Sequence, residues 1–386
     1  MPASLRVLES LEGVDPAQWN ALTAGNPTLA YAFLDSLHRT RCAASASGWA
    51  PSYLCLWEDN ALVGAAPLYA KSHSYGEYVF DWAWADAYER HGIAYYPKLL
   101  CAVPFTPATG PRLLARDQAT RDRLASALLD TAKASSVSSL HVLFPTDEDA
   151  VSLRKLGLLE RTGVQFHWTN AGYRAFDDFL AALSHDKRKK IRQERRRVAD
   201  AGVTFRRVTG RDATTADWDF FTQCYRRTYR EHRSTPYLNR AFFGALAERM
   251  PDNVLLVIAE REGEPIAAAL DLFSEQALYG RYWGSTEYVP GLHFEACYYQ
   301  AIEFCIERRI GRFEGGAQGV HKLARGLLPV ATHSLHAIAD RSFATAIADY
   351  CARERVDVAH SIDELEAGSP FREAAGEDLP LRTPRP

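Results

Sequence analysis

Apolar residues along the chain fall into short β-type runs and longer runs with helical spacing, and the two kinds alternate in a repeated order. Residues 53–69 read as an apolar strand, an acidic turn at Asn60 and a second strand; residues 255–272 repeat this around Gly263. The second strands share a small-residue centre, Gly64-Ala65-Ala66 and Ala267-Ala268-Ala269. Each is followed by a polar break and an aromatic-rich third strand, predicted over 77–82 and 277–283. Two helices precede each pair, over 16–22 and 28–41 and then over 217–229 and 239–249, with Trp19 and Trp218 near their starts. The same order of elements about 202 residues apart points to an internal duplication.

Each copy continues with helices and strands. The first predicts a helix over 117–134, a strand over 139–144, a helix over 148–156 and a strand over 158–168. The second predicts a helix over 293–309, a short strand over 312–314, a glycine-rich turn, a strand over 332–338 and a closing helix over 343–365. Hairpins first and crossovers later predict an α+β (mixed α/β) fold. The expected organisation is a first domain over 1–170, a second over 171–372 and a Pro-rich polar tail over 373–386.

Composition narrows the class. With 386 residues, 47% apolar and 24% charged, the chain is globular rather than disordered or fibrous. The N-terminus has no secretory h-region and no apolar run approaches the ~20 residues of a membrane span. The seven cysteines are scattered without a CxxC pair, which argues against a zinc or redox motif and for a cytoplasmic, reduced protein. Net charge is -3, yet residues 185–197 alone hold eight Lys/Arg against two acids. This segment lies in a helix predicted over 184–200 that joins the two domains, with Ser184 as N-cap and Leu183, Ile191 and Val198 as an apolar stripe. Its Lys187, Arg188, Lys190 and Arg192 are the candidate phosphate holders; a solvated charged linker is the plain alternative.

Two stretches could carry chemistry. Residues 279–295 end a strand with Tyr282, Trp283 and Gly284 and open a helix with His293 and Glu295, where free N–H groups favour an anion or oxyanion. Residues 312–326 put Glu314 at a strand end, followed by a loop with four glycines and Gln318, His321, Lys322 and Arg325. The plain alternative for the first is core aromatics with a polar cap residue; for the second, where a site is the favoured reading, it is an irregular crossover with one salt bridge. Asp271, an acid in an apolar strand, points either to solvent or into the cleft. No phosphate-binding P-loop, Rossmann motif, GxSxG elbow or HExxH pair occurs.

The runs LSHDKRKKIR (183–192) and AGV (201–203) resemble the join between the halves of Fem-type peptidyltransferases. The run from His293 to Gly326 resembles the FemAB-like group of the GNAT superfamily, called peptidoglycan biosynthesis or recognition proteins, and the likeness covers about residues 4–372. It implies two tandem GNAT-like domains, each a mixed, mostly antiparallel sheet flanked by helices. Related tRNA–protein transferases carry a strand-end Asp, then Gln, His and Gly two, seven and twelve residues on. Glu314, His321 and Gly326 match, whereas Gly316 replaces the Gln and Gln318 comes two residues late. The acetyl-CoA signature of ordinary GNAT domains is missing after Trp283. The resemblance therefore implies an N-acyltransferase without bound cofactor, its donor an aminoacyl-tRNA (or acyl-CoA) and its acceptor an amine of a peptide or cell-wall-type molecule. Glu314, His321 and Glu295 are the expected catalytic residues; Tyr282, Trp283, His293, Gln318, Lys322, Arg325 and Asp271 would bind substrate. A non-catalytic module recognising a peptide or cell-wall precursor is the competing reading.

Overall fold

The computed structural model describes residues 4–317 and 319–372; Gln318 and the tail over 373–386 lie outside them. The first half runs β1 (Ser4–Leu8), α1 (Pro16–Ala21), α2 (Tyr31–Arg39), β2 (Trp49–Pro51), β3 (Tyr53–Glu58), β4 (Ala61–Ala66), β5 (Leu68–Lys71) and α3 (Trp82–Arg90). It goes on with β6 (Lys98–Cys101), β7 (Leu114–Ala115), α4 (Gln118–Ala134), β8 (Ser139–Leu143), α5 (Asp147–Lys155) and β9 (Leu159–Thr169). Helices α6 (Phe176–Ala182) and α7 (His185–Asp200) lead to β10 (Val203–Thr209), α8 (Thr215–Glu231), α9 (Arg240–Arg249), β11 (Val254–Arg261), β12 (Glu264–Phe273) and β13 (Ala277–Ser285). Then come α10 (Leu292–Phe294), a π turn (Glu295–Tyr299), α11 (Gln300–Arg308), β14 (Arg312–Glu314), a 3-10 segment (Val320–Arg325), β15 (Leu328–Ile338) and α12 (Arg341–Ala367).

Local chemistry accounts for most boundaries. Asp117 caps α4 through Thr120 N, Thr146 caps α5, and Thr214 with Asp217 forms a capping box on α8. Ser184 occupies the N-cap position of α7, but its side chain makes no capping bond. Leu183, Ile191 and Val198 are buried, as their spacing predicts. The expected single helix over 293–309 is broken by the π turn, a wide turn that re-aims side chains within a helix.

Two sheets form. Strands β1, β3, β4 and β7 make a four-stranded sheet; the other eleven form one sheet in the order β10-β11-β12-β13-β14-β9-β15-β8-β6-β5-β2. Between Ala66 and Leu68 the chain changes sheets at Pro67, a residue that cannot donate to a ladder. The halves are built alike: β6 runs parallel to β8 and β13 parallel to β14. Beyond them the halves exchange strands. β9, from the first half, pairs with β14 of the second; β15, from the second, pairs with β8 of the first. β9 and β15 pair antiparallel at the centre, from Leu328↔His167 to His336↔Leu159. One apolar cluster, with Tyr53 and Leu100 beside Phe221, Leu256 and Leu270, spans both halves, while each half keeps its own core on the opposite sheet face.

The third strand of the first copy is β6, not the expected 77–82. Residues 72–97 are inserted there, where the second copy has only residues 274–276. Glu77 and Asp81 turn inward onto Lys98, Tyr78 takes a left-handed backbone (φ 64) and Trp82 opens α3, so no ladder forms.

Gly284 marks a close approach of β13 to α8. A Cβ there would stand 2.2 Å from the Cys224 carbonyl oxygen, a backbone atom that cannot step aside. Gly284→Ala is expected to cost about 1–3 kcal/mol through overpacking, read as a lower unfolding midpoint in denaturant.

Candidate functional site

The expected site residues divide between the two faces of the sheet at β13–β14. Along β14, Phe313 packs against α11 and Glu314 points the other way, into a pocket of about 640 Å³. Loops of the first half close this pocket with Asn26 and Thr109, and the strands contribute His167, Tyr279, Arg312 and Thr332. The Glu314 side chain is only 3% exposed. Its Oε2 accepts from Thr109 N at 3.2 Å. Its Oε1 lies 2.9 Å from the Arg312 guanidinium, outside hydrogen-bonding alignment. Burial raises its pKa to about 7, against the lowering pull of Arg312 and the Thr109 bond. His167, opposite Glu314 in the β9 register, is held near pKa 3 by burial and stays neutral.

On the other face, His293, Phe294, Tyr298 and His321 gather in one ring cluster. The His321 and Tyr298 polar atoms are 3.2 Å apart, and the ring centroids of His293 and His321 are 6.3 Å apart. Trp283 meets His293 edge-on at 5.4 Å. Burial lowers the pKa of His293 to about 4 and also lowers that of His321. Buried Lys322 donates to the Gly316 carbonyl at 3.3 Å and is depressed to about 8 by burial. Arg325 lies 3.4 Å from the Phe294 centroid and pairs with Glu194 of α7 at 2.7 Å, so its charge is already matched.

No hydrogen bond or ring contact joins Glu314 to His321 among the described residues. Glu295 stands apart from both: it is buried, bonded to Arg195 of α7 at 3.1 and 3.2 Å and to Gln300 at 2.8 Å, and it pins the π turn to α7. Asp271 does not point to solvent. It is 2% exposed beneath the helix side of the sheet, Oδ2 has no hydrogen-bond partner among the described residues, and burial raises its pKa well above the usual carboxylate value against the lowering pull of Arg281. Tyr282 turns to the opposite face and donates to the Phe105 carbonyl at 3.1 Å. On α7, Lys187 and Arg188 are half-buried, whereas Lys190 and Arg192 are exposed, Arg192 lying 3.4 Å from Asp177. Among the described residues no group of three or more His, Cys, Asp or Glu is placed to hold a metal ion, and no helix is long and apolar enough to cross a membrane.

The family model for FemAB-like proteins, described as peptidoglycan biosynthesis/recognition, matches residues 10–373. The chain belongs to the FemAB-like family. It has the fold of that group, two tandem GNAT-like domains with mostly antiparallel sheets and flanking helices. Solved structures agree at the level of fold. FemX aligns with TM-score 0.55 and 11% identity, over 90% of this chain and 100% of its own. L-PGS from Bacillus licheniformis aligns with TM-score 0.54 and 12% identity, over 86% and 95%. A protein of unknown function from Bacteroides thetaiotaomicron aligns with TM-score 0.50 and 11% identity, over 87% and 100%. No curated protein matches this FemAB-like chain by sequence.

Two features of the site region escaped sequence reasoning. The loop over 103–110, which supplies Thr109, carries only apolar and small residues. Arg281 stands among aromatics in YGRYWG, a visible signal whose direction depends on a β-bulge that no sequence pattern reveals.

Proposed function

We propose that this FemAB-like chain is an N-acyltransferase that moves an aminoacyl group from tRNA to an amine of a peptide or cell-wall-type acceptor. The observation that carries this is Glu314, a buried carboxyl poised near neutrality on a pocket between the halves, since a base works best when its pKa is near the working pH. The acceptor nitrogen attacks the ester carbonyl carbon, and Glu314 takes the proton that the nitrogen sheds. The tetrahedral intermediate then collapses: the bond to the tRNA ribose oxygen breaks, and the proton on Glu314 passes to that oxygen. Lys187, Arg188, Lys190 and Arg192 would meet the donor's phosphates, and the ring cluster around His321 would line the face beside α11. Family membership supports this reading, as does the absence of the acetyl-CoA signature after Trp283.

The test is binding of the purified protein to aminoacyl-tRNA and to acetyl-CoA across a salt series. Affinity for tRNA should fall with salt, and Arg188→Glu with Arg192→Glu should flatten the log–log slope by about 0.7–0.9 per lost phosphate contact. Binding to acetyl-CoA alone would replace the donor. Binding to neither would turn the reading toward a recognition module.

A further inference from the structure

β13 carries a bulge opposite Leu270 and Asp271. Leu270 pairs with Tyr282 and Asp271 with Gly280, so Arg281 is the extra residue. A bulge places two consecutive side chains on one face and often re-aims a side chain beside a site. Arg281 and Tyr282 both reach the Phe105 carbonyl of the first half.

Among the described residues the Arg281 guanidinium has no acid at ion-pair distance. Among the described residues its hydrogen bonds are to the Phe105 carbonyl and the Tyr282 hydroxyl (3.3 Å), and it forms no ion pair. The titratable groups facing it are the neutral hydroxyls of Tyr282, Tyr78 and Tyr229 and, on the paired strand, the buried Asp271 carboxyl, which the Arg281 charge pulls toward a lower pKa without bonding to it. The guanidinium lies 5.0 Å from the Tyr282 centroid, and Tyr225 packs edge-on to Tyr282 at 5.0 Å and beside Tyr229 at 4.8 Å. Exposure is graded: Tyr78 is 36% exposed at the rim, Tyr229, Tyr282 and Arg281 are half-buried, and Phe105 is sealed. Among the described residues Nε and Nη1 make no hydrogen bond, yet neither is among the unpartnered atoms shut off from solvent. A half-buried cation with no carboxylate bonded to it is costly, and an arriving anion would supply strong N–H···O⁻ bonds.

We propose that Arg281 and the surrounding tyrosines form an anion subsite that takes the carboxylate of an extended peptide. One guanidinium, with no cation among the groups facing it in the described residues, matches a single negative charge better than a phosphate dianion, and the ring walls fit an extended chain. Assigning the peptide as the acceptor rests on the transferase reading. Tyr279, two residues before Arg281, pairs with Glu314. Strand spacings therefore put the Arg281 and Glu314 backbones roughly 8 Å apart, so two or three extended residues, about 3.3 Å each, would span from one to the other.

Tri-alanine and its C-terminal amide, titrated into the full chain and followed by calorimetry, test the subsite. The acid should bind about tenfold or more tightly than the amide, one charge-assisted bond's worth. Arg281→Gln should erase the difference, and Arg281→Lys should keep part of it. Equal affinity for acid and amide in the unaltered protein, no binding of either, or an unchanged difference in Arg281→Gln would each overturn the subsite. The acid–amide comparison needs no variant, so a misfolded Arg281→Gln leaves it decisive. Failure of aminoacyl transfer with intact carboxylate binding would count against the transferase reading and leave the subsite standing.

Discussion

Glu314→Gln should lower aminoacyl transfer by about 10²–10⁴-fold, the usual contribution of a positioned general base. The substitution keeps an acceptor for Thr109 N, and Arg312, half exposed, can solvate the charge it loses. The fold should therefore survive, with little change in far-UV circular dichroism. Two pH effects separate a base from a structural acid. With the carboxyl titrating at about 7, wild-type transfer should rise through pH 7 and level off above it, and the variant should lack that limb. Stability should move the opposite way. The folded state holds the Glu314 proton more tightly than the unfolded chain, whose value is 4.5, so wild-type stability drops as pH rises from about 4.5 through 7. Glu314→Gln should thus raise the melting temperature at pH 8 relative to wild type more than at pH 5. Full transfer activity in the variant would remove Glu314 from the chemistry.

The largest stability loss is expected for Lys98→Met. Lys98 is completely buried, and its ammonium holds Ser74 and Glu77 at 2.8 Å each together with Asp81. Around this knot lie Lys71, stacked 3.8 Å from the Trp49 centroid, the Tyr95 hydroxyl bonded to Asp81 at 2.6 Å, and the His141–His336 pair at 2.6 Å. Removing the central cation leaves two buried carboxylates with Lys71 as their nearest cation, 3.8 Å from Glu77. Breaking a buried pair in this way costs about 3–5 kcal/mol. The exposed pair Arg211–Asp252, with both side chains 63% exposed, is the control, and Arg211→Ala should leave the unfolding midpoint nearly unchanged. Urea unfolding of the three proteins reads both values; equal midpoints would show that the Lys98 cluster contributes no more than a surface pair.

The periodic parts of the fold were legible. The hairpins, the helices over 117–134 and 217–229 and the strand over 312–314 follow from apolar spacing and caps, and Asp117 and Thr214 sit where capping chemistry places them. The segment over 77–82 misled because its aromatics, Tyr78, Phe80 and Trp82, look like strand residues, yet all three are exposed. Its ordering comes from carboxylates reaching Lys98, some twenty residues away in sequence. Glu295 and His293 ended on different sides because residues two apart on a helix point nearly opposite ways, so one sequence stretch could not bring both to one site. Glu314 and His321 looked like one constellation. Strand alternation sends Glu314 to one face of the sheet, while the glycine loop carries His321 to the other. The pairing of β9 with β14 and of β15 with β8 has no local signature, since partner choice among strands is a tertiary matter.

That reciprocal exchange bears on how the protein is made. Until residue 338 has left the ribosome, β8 has no partner on one side, and the apolar backbone edge around Leu140 and Val142 stays open to stray pairing. The first half therefore completes its sheet only when nearly all of the second has been synthesised, although its own α4 and α5 core can form earlier. Clasped in this way, the two halves cannot swing apart on the segment near residue 170 as hinged domains do. Opening the pocket at Glu314 must come from bending or shearing one continuous sheet, or from movement of the loops over 24–26 and 103–110 that cover it.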